Sequence, residues 1–542
     1  MALNAAITCE FRSTAAANMV NGGGFRTGGS GTDYSKQDAA QWTATDLTCA
    51  ANATNIVSAA STFTTAAVGN VIHLTALTGT GAKVGWYEIT AYVNANTLTL
   101  DRTPTDGTNA ITAGTFYIGG ALNVGGSLED DFFEEISGAN AEDGISVYFY
   151  NNNSTSTVTF TPSEAIAIAG AGGTLAPIKI IGYKTTRGDN PTGASRPTIA
   201  MGANPLTWGT NFEIYNLIFT GTAANSINIG INGKLVNCKS TNLSTTINRN
   251  SIAMYNPSYV FNSGSISYNG NAITYGDIIG HIIGCYIHDS GVGIFSSAIG
   301  SKVTILNNII ESCFTASIQF TGAQIGTNVI YGNTFYGSEN TTGIGVSLAA
   351  GITDIKIMNN IFYGFATGVS HGTAGQTVGY DDYNDYFNND TDVSNWTKGS
   401  NDQAVNPTFT NVAQVTGTTG TYAGTTLTDA GKFGSVVAGR DYIYIISGTG
   451  MTAGIYGISS ATANTVVTDL DAGENVAGDV VYQITIGRNF AVGTNLKALG
   501  FPGAFQAGLS TGYMDIGAVQ RQEPAGGGGL LVHSGMTGGM RG

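Results

Sequence analysis

The sequence predicts an all-β chain, folded mainly as a parallel β-helix solenoid with two small duplicated β-domains. Three observations carry this: the composition, a recurring pattern every 22 to 27 residues, and an internal duplication outside that pattern. Of 542 residues, 11% are charged, 42% are apolar and 77 are Gly. That balance excludes a disordered acidic chain and a helical bundle. Abundant Gly, Asn, Thr and Ser with 25 Tyr and 23 Phe suit short strands joined by tight turns. Gly and Asn tolerate left-handed backbone, while Thr, Ile, Val and Tyr fit pleated surfaces.

The repeat runs from about residue 210 to 390, with Leu306-Asn307-Asn308-Ile309-Ile310, Tyr331-Gly332-Asn333-Thr334-Phe335 and Met358-Asn359-Asn360-Ile361-Phe362 as its clearest copies. Asn216, Cys238, Ser263, Cys285, Asn308, Asn333, Asn360 and Asn384 follow one another at 22 to 27 residues. Leucine-rich repeats share that length but need a leucine framework, and helical repeats need a 3.6-residue period; neither is present. What remains is a coil with about three strands per turn and rungs about 4.8 Å apart. At an inward bend, an Asn can hydrogen-bond its counterpart in the next rung, which predicts a structural ladder of Asn216, Cys238, Cys285, Asn308, Asn333, Asn360 and Asn384. In that series Cys238 and Cys285 are small substitutes that tolerate burial. Residues 127–136 (SLEDDFFEEI) read as an amphipathic helix with Ser127 as N-cap and Leu128, Phe132 and Ile136 on one face, a cap for the coil's open end. Its acids read as a solvated face.

The duplication aligns Phe63, Gly79-Thr80-Gly81, Tyr87 and Ile89 with Phe433, Gly448-Thr449-Gly450, Tyr456 and Ile458. Each copy is a small β-domain with Gly-Thr-Gly as a hairpin turn. The expected organisation is an N-terminal arm that docks elsewhere (1–60), the first β-domain (61–120), the β-helix with its cap (121–410), the second β-domain as an insertion (411–490), a closing segment (491–523) and a Gly-rich tail (524–542). Trp86-Tyr87 could form a sugar platform, but Ile455-Tyr456 in the other copy favours core packing.

Residues 125–150, Ile178-Lys179-Ile180-Ile181-Gly182-Tyr183 and Arg196-Pro197-Thr198-Ile199 resemble the entry of right-handed parallel β-helix (pectate-lyase-like) proteins. Asn406-Pro407-Thr408-Phe409 and Asp515-Ile516-Gly517-Ala518-Val519 resemble that family's closing segment. Asn21-Gly22-Gly23-Gly24-Phe25 and Ser30-Gly31-Thr32-Asp33-Tyr34 resemble the starts of β-helix proteins encoded by phages. The resemblance implies a right-handed coil. It leaves function open, because lyases, hydrolases, adhesins and inert spikes share the scaffold.

Enzymes of such a family, the resemblance implies, use clustered carboxylates, or calcium-binding Asp with an Arg or Lys base, on one outer face. Asp381, Asp382 and His371 are the catalytic candidates, but the histidine precedes the acids, the reverse of the family order, and a solvated turn explains the acids as well. His288-Asp289-Ser290 looks triad-like, yet neighbours on a strand face opposite sides, so they are not expected to converge. Five scattered cysteines predict buried free thiols, and no metal site or cofactor is expected. A net charge of −15 argues against nucleic acid and anionic membranes as partners. No transmembrane run and no secretory signal is expected, since MALNAAITCEFRSTAAANMV lacks a basic start and an apolar core.

The leading expectation is a phage virion structural protein (spike, fibre or capsid decoration), assembled in the host cytoplasm as a homotrimer. Its partners would be other virion proteins and a host surface glycan. A polysaccharide lyase or glycoside hydrolase and a bacterial surface adhesin are the alternatives, with an enzyme disfavoured.

Overall fold

The computed structural model describes residues 20–123, 144–154, 279–297, 302–322, 327–352, 354–373, 379–438, 441–468, 471–501 and 514–519 without a break, with Leu3, 6–16, Phe132 and shorter stretches between 158 and 275. The chain divides into two compact units, Met1–Thr220 with Ile227–Cys238, and Gly221–Ser226 with Lys239–Gly542. The predicted capping helix lies outside the described residues, apart from Phe132, which is buried against Trp86. Ser263 and the tail from 524 also lie outside them.

In the first unit, Ile7–Phe11, Ser146–Tyr150, Ile178–Tyr183, Phe212–Tyr215 and Gly233–Val236 pair in parallel. Period-two alternation puts one residue of each strand inside, so Cys9, Val147, Ile180, Ile214 and Leu235 stack as a fully buried column. A second parallel sheet stacks Phe160, Ile199 and Phe219. Within the segment expected to be a docking arm, Ile7–Phe11 pairs with Ser146–Tyr150 of the same chain. Its buried Glu10 pairs with Arg12 and Arg187 and accepts from Tyr183 Oη at 2.6 Å.

Trp42–Ala44, Thr48–Cys49, Asn55–Val57, Val71–Thr78, Gly85–Asn94, Thr97–Leu100 and Ala113–Ile118 form an antiparallel sheet over a core that includes Phe63, Ile72, Tyr87 and Phe116. Trp86 and Tyr87 are both buried: Trp86 stacks on His73 at 3.9 Å, and Tyr87 Oη donates to Lys83 O at 2.7 Å. No exposed sugar platform forms there.

In the second unit, Ile279–Ile283, Lys302–Leu306, Asn328–Tyr331, Ile355–Met358 and Gly379–Asp382 pair in parallel, and their inward column reads Ile282, Ile305, Ile330, Ile357, Asp381. Another face stacks Ile294, Ile318, Val346 and Val369 inward. A third inward column is Ile287, Ile310, Phe335, Phe362 and Tyr386, with the last three rings stacked 4.9 Å apart.

The bend between these faces uses two adjacent positions. The first takes left-handed backbone, at Gly284, Asn307, Gly332, Asn359 and Tyr383, each with φ between 53° and 64°. The second points inward and forms the ladder. Asn308, Asn333 and Asn360 donate from Nδ2 to Oδ1 of Asn333, Asn360 and Asn384 at 2.9, 2.9 and 3.0 Å. Asn308 Oδ1 in turn accepts from Cys285 N at 2.8 Å. In the first unit Asn216 and Asn237 hold the left-handed position, with φ of 58° and 52°, and Leu217 and Cys238 are the buried residues after them. Asn216 is therefore one residue out of the ladder: its amide bonds Asn237 beside the bend, not inside the coil. The 22-residue spacing to Cys238 hid this, because rungs differ in length and a one-residue slip looks like ordinary variation. All five cysteines are buried and free.

Strands Asn411–Ala423, Thr426–Thr428, Tyr442–Ser447, Gly454–Ala461, Thr465–Thr468 and Asn475–Asn489 close a small barrel around Tyr422, Ile443, Tyr456 and Tyr482. Its kinship with the antiparallel sheet of the first unit is local and detailed. Gly79 and Gly81 have φ of 151° and 76°, against 157° and 75° at Gly448 and Gly450. Tyr456 Oη donates to Thr452 O at 2.8 Å, four residues back as Tyr87 does to Lys83. After the barrel, Val492, Leu496 and Ile516 pack on Ile361 of the coil.

Candidate functional site

Two places in the second unit gather chemistry, and both grow from the strand alternation just described. The first is the end of the coil. Within Gly379–Asp382 the pleat sends Asp381 inward and Asp382 outward. Asp381 takes the place held by isoleucine in earlier rungs and is nearly buried, contrary to the solvated turn expected from sequence. It accepts from Asn384 Nδ2 at 2.9 Å, Tyr386 Oη at 2.9 Å and Trp396 Nε1 at 2.6 Å. Burial, and then the neighbouring Asp402 carboxyl, push its pKa well up. Asp402, itself raised by burial, accepts from Asn384 N at 2.8 Å and so terminates the ladder. Both carboxyls thus hold Asn384, the last amide of the ladder, at the end of the coil.

His371 is also buried; Nε2 donates to Ile352 O at 3.1 Å and Nδ1 accepts from Thr373 N at 3.2 Å. Trp396 links it to Asp381, its ring 6.1 Å from the imidazole. The three candidates therefore do not form one surface constellation. His371 and Asp381 face inward; Asp382 faces outward.

On that outer side Tyr380 is 43% exposed, beside the exposed Lys356 of the preceding rung. Asp382 Oδ2 accepts from Tyr380 Oη at 3.1 Å and Asn401 Nδ2 at 3.0 Å, and Oδ1 from Asn401 N at 2.8 Å and Tyr383 N at 3.1 Å. Burial works upward on Asp382, but these donors outweigh it and hold the carboxyl below its ordinary range. The result is a tyrosine ring fixed by an ionised, fully engaged carboxylate. Asn401 and Trp396 follow the last repeat, so no periodicity could mark them.

The second place is one outward column of the coil: His288, Glu311, Tyr336, Tyr363 and Phe387. Tyr336 and Tyr363 stack at 5.0 Å, and Phe409 and Phe490 cover Tyr336 at 6.0 and 5.5 Å. Farther along, the barrel rests on the column: Tyr442 lies 5.7 Å from His288, Tyr444 5.4 Å from Phe314, and Thr485 Oγ1 3.2 Å from Ser312 Oγ. Contrary to the sequence expectation, the His288 and Asp289 side chains converge, Nδ1 of one bonded to Oδ2 of the other. The strand Tyr286–His288 ends at His288, and left-handed backbone at Asp289 (φ 51°) turns its side chain back to the same side. Glu311 joins them from the next rung, and Tyr286 Oη donates to its Oε1 at 2.5 Å. The signal for Glu311 was in the sequence: it follows His288 by 23 residues, the same step that separates Cys285 from Asn308.

No protein-family model matches the chain, and no curated protein matches it. Solved structures do. A mannuronic-acid-specific polysaccharide family 6 lyase from human gut microbiota is similar at 13% identity, covering 50% of this chain and 75% of its own, with a TM-score of 0.29. The tailspike of Acinetobacter baumannii bacteriophage AP22, solved with a capsular saccharide, shows 11% identity, coverage of 82% and 83%, and a TM-score of 0.21. A mutant tailspike of E. coli bacteriophage HK620, solved with a pentasaccharide, shows 14% identity, coverage of 68% and 92%, and a TM-score of 0.24. The strand pairing of the chain itself makes it a parallel β-helix repeat protein.

Proposed function

We propose that this chain is a phage virion attachment protein of tailspike type, in which the β-helix is a stiff support for binding a host surface glycan and not a site of bond cleavage. The observation that carries the reading is the exposed Tyr380 ring, locked by Asp382 and Asn401 beside Lys356. A sugar's C–H face packs well on an aromatic ring, and a ring already fixed by hydrogen bonds loses little entropy on binding. Lys356 adds a donor for hydroxyl or carboxylate groups of the glycan. Asp381 is buried and faces into the coil, so it is not offered to a glycan lying on the outer face.

Calorimetric titration with capsular and O-antigen polysaccharides should find a bound glycan, with Tyr380→Ala weakening it about tenfold, the scale of about 1.4 kcal/mol. The melting temperature should not change. Equal affinity of Tyr380→Ala and parent would overturn the site. New reducing ends or unsaturated products, lost on replacing Asp381 and Asp382, would establish the enzyme alternative instead. Finding the chain by mass spectrometry in purified virions tests the location.

A further inference from the structure

The outward column that carries the barrel changes character along its length. Where Phe409 and Phe490 cover it, it offers the aromatic rings Tyr336 and Tyr363. Where Tyr442 of the barrel covers it, it offers His288 and Glu311 instead, with Asp289 alongside. Packing alone does not call for that exchange, since an aromatic pair would continue the stack.

From this geometry we infer that His288, Asp289 and Glu311 form a binding site for a first-row divalent metal ion, Zn²⁺ by ligand type, beneath the barrel. One ligand atom from each residue lies within 4.8 Å of the other two, a spread that a single ion can bridge. All three residues are buried, at 2%, 4% and 0% exposure. Two carboxylates brought together in such a place repel, and a dication between them reverses the sign of that interaction. One imidazole nitrogen with two carboxylates suits zinc better than calcium, which takes six to eight oxygen ligands. Zinc sites with three protein ligands keep a fourth position for water.

The surroundings are arranged as supports for a ligand set. Tyr286 Oη fixes Glu311, Ser290 Oγ donates to His288 O at 3.2 Å, and left-handed backbone sets Asp289. Metal entry would replace the His288–Asp289 hydrogen bond and release any proton held there. The ion would have a structural task, independent of glycan binding at Tyr380: holding the barrel face with Tyr442 against the coil.

The test is metal content and stability of the full chain. Protein stripped with a chelator and dialysed should take up about one Zn²⁺ per chain on titration with zinc chloride, and Co²⁺ in its place should give the visible bands of a four-coordinate site. Zinc should raise the melting temperature, and Glu311→Gln and His288→Gln should each lose both the uptake and the rise. Glu311→Gln keeps the volume of the side chain, so its metal-free melt should match that of the stripped parent. Absence of stoichiometric uptake and of any melting shift in the parent would overturn the inference, whether or not the variants fold. So would undiminished uptake in both variants.

Discussion

Asn308, Asn333 and Asn360 each satisfy several buried groups with one side chain. Asn333 Oδ1 accepts from both the backbone N–H and Nδ2 of Asn308, while its own Nδ2 donates to Ile305 O, Tyr331 O and Asn360 Oδ1. Removing it strands partners in two neighbouring rungs, so Asn333→Ala should cost about 1–3 kcal/mol, measured by urea unfolding. Leu217 occupies the corresponding bend in the first unit, so the position does not demand an amide; a neighbour with an amide does. Asp385 makes the opposite kind of residue-scale statement. It is fully buried, one oxygen accepts from Val405 N at 2.8 Å and the other, Oδ2, has no hydrogen-bond partner among the described residues. Burial pushes its pKa to about 7, with Asp392 and Asp402 adding and Lys398 opposing. The folded state thus holds a proton that the unfolded carboxyl, with an ordinary value near 4, has released. Stability should fall as pH rises from about 4 to 7, because over that window the folded form binds more protons than the unfolded. The Asp381–Asp402 pair is raised in the same direction. Melting temperatures should decrease between pH 5 and pH 8, and Asp385→Asn should flatten that slope; a parent that melts higher at pH 8 than at pH 5 would contradict this.

At the scale of elements, the bend shows why repeat length varies while its geometry does not. Gly332 sits at the left-handed position with φ 64°, and a Cβ there would lie 2.5 Å from Asn307 Oδ1. Ala at this position should cost about 1–2 kcal/mol, the usual penalty for left-handed backbone, and valine more. Asn should cost least, since Asn already fills the position at 307 and 359; an urea-unfolding series of the three variants tests that order. Much of this was legible in the sequence. Paired residues such as Asn307-Asn308 and Asn359-Asn360 announce a bend followed by an inward amide, and the step of 22 to 27 residues announces rungs. Alternation also reveals which residues enter the core, as in Lys302–Leu306, where Val303 and Ile305 are buried. What could not be read was the behaviour of chain ends and turns. Asp381 looked solvated because a carboxylate in an isoleucine column is intelligible only once Asp402, Tyr386 and Trp396 are seen around it. His288 and Asp289 looked divergent because strand geometry was assumed one residue too far.

At the scale of the whole molecule, the open question is how many copies act together, and the surface of the accessory domains bears on it. Each copy carries a net charge of −15, which opposes association, so copies laid side by side need apolar surface to hold them together. Large apolar side chains are exposed in both accessory domains: Val57, Val84 and Val93 at 40%, 57% and 51% in the antiparallel sheet, and Val437 and Val476 at 45% and 90% in or beside the barrel. One exposed valine needs no explanation, but repetition of the feature in two related domains favours faces that a second copy covers. Closed cyclic symmetry lets each copy bury the same patch without leaving an open end, and three copies satisfy that with three coils around one axis. The expectation is a homotrimer, with a mass by light scattering near three times the 55.7 kDa of one chain at micromolar concentration. Val476→Glu, which adds a charge at a fully solvated position of the single chain, should leave the barrel folded yet shift the mass toward the monomer. A parent that scatters as one copy would refute the trimer. A trimer unaffected by Val476→Glu and Val93→Glu together would place its contacts away from the accessory domains.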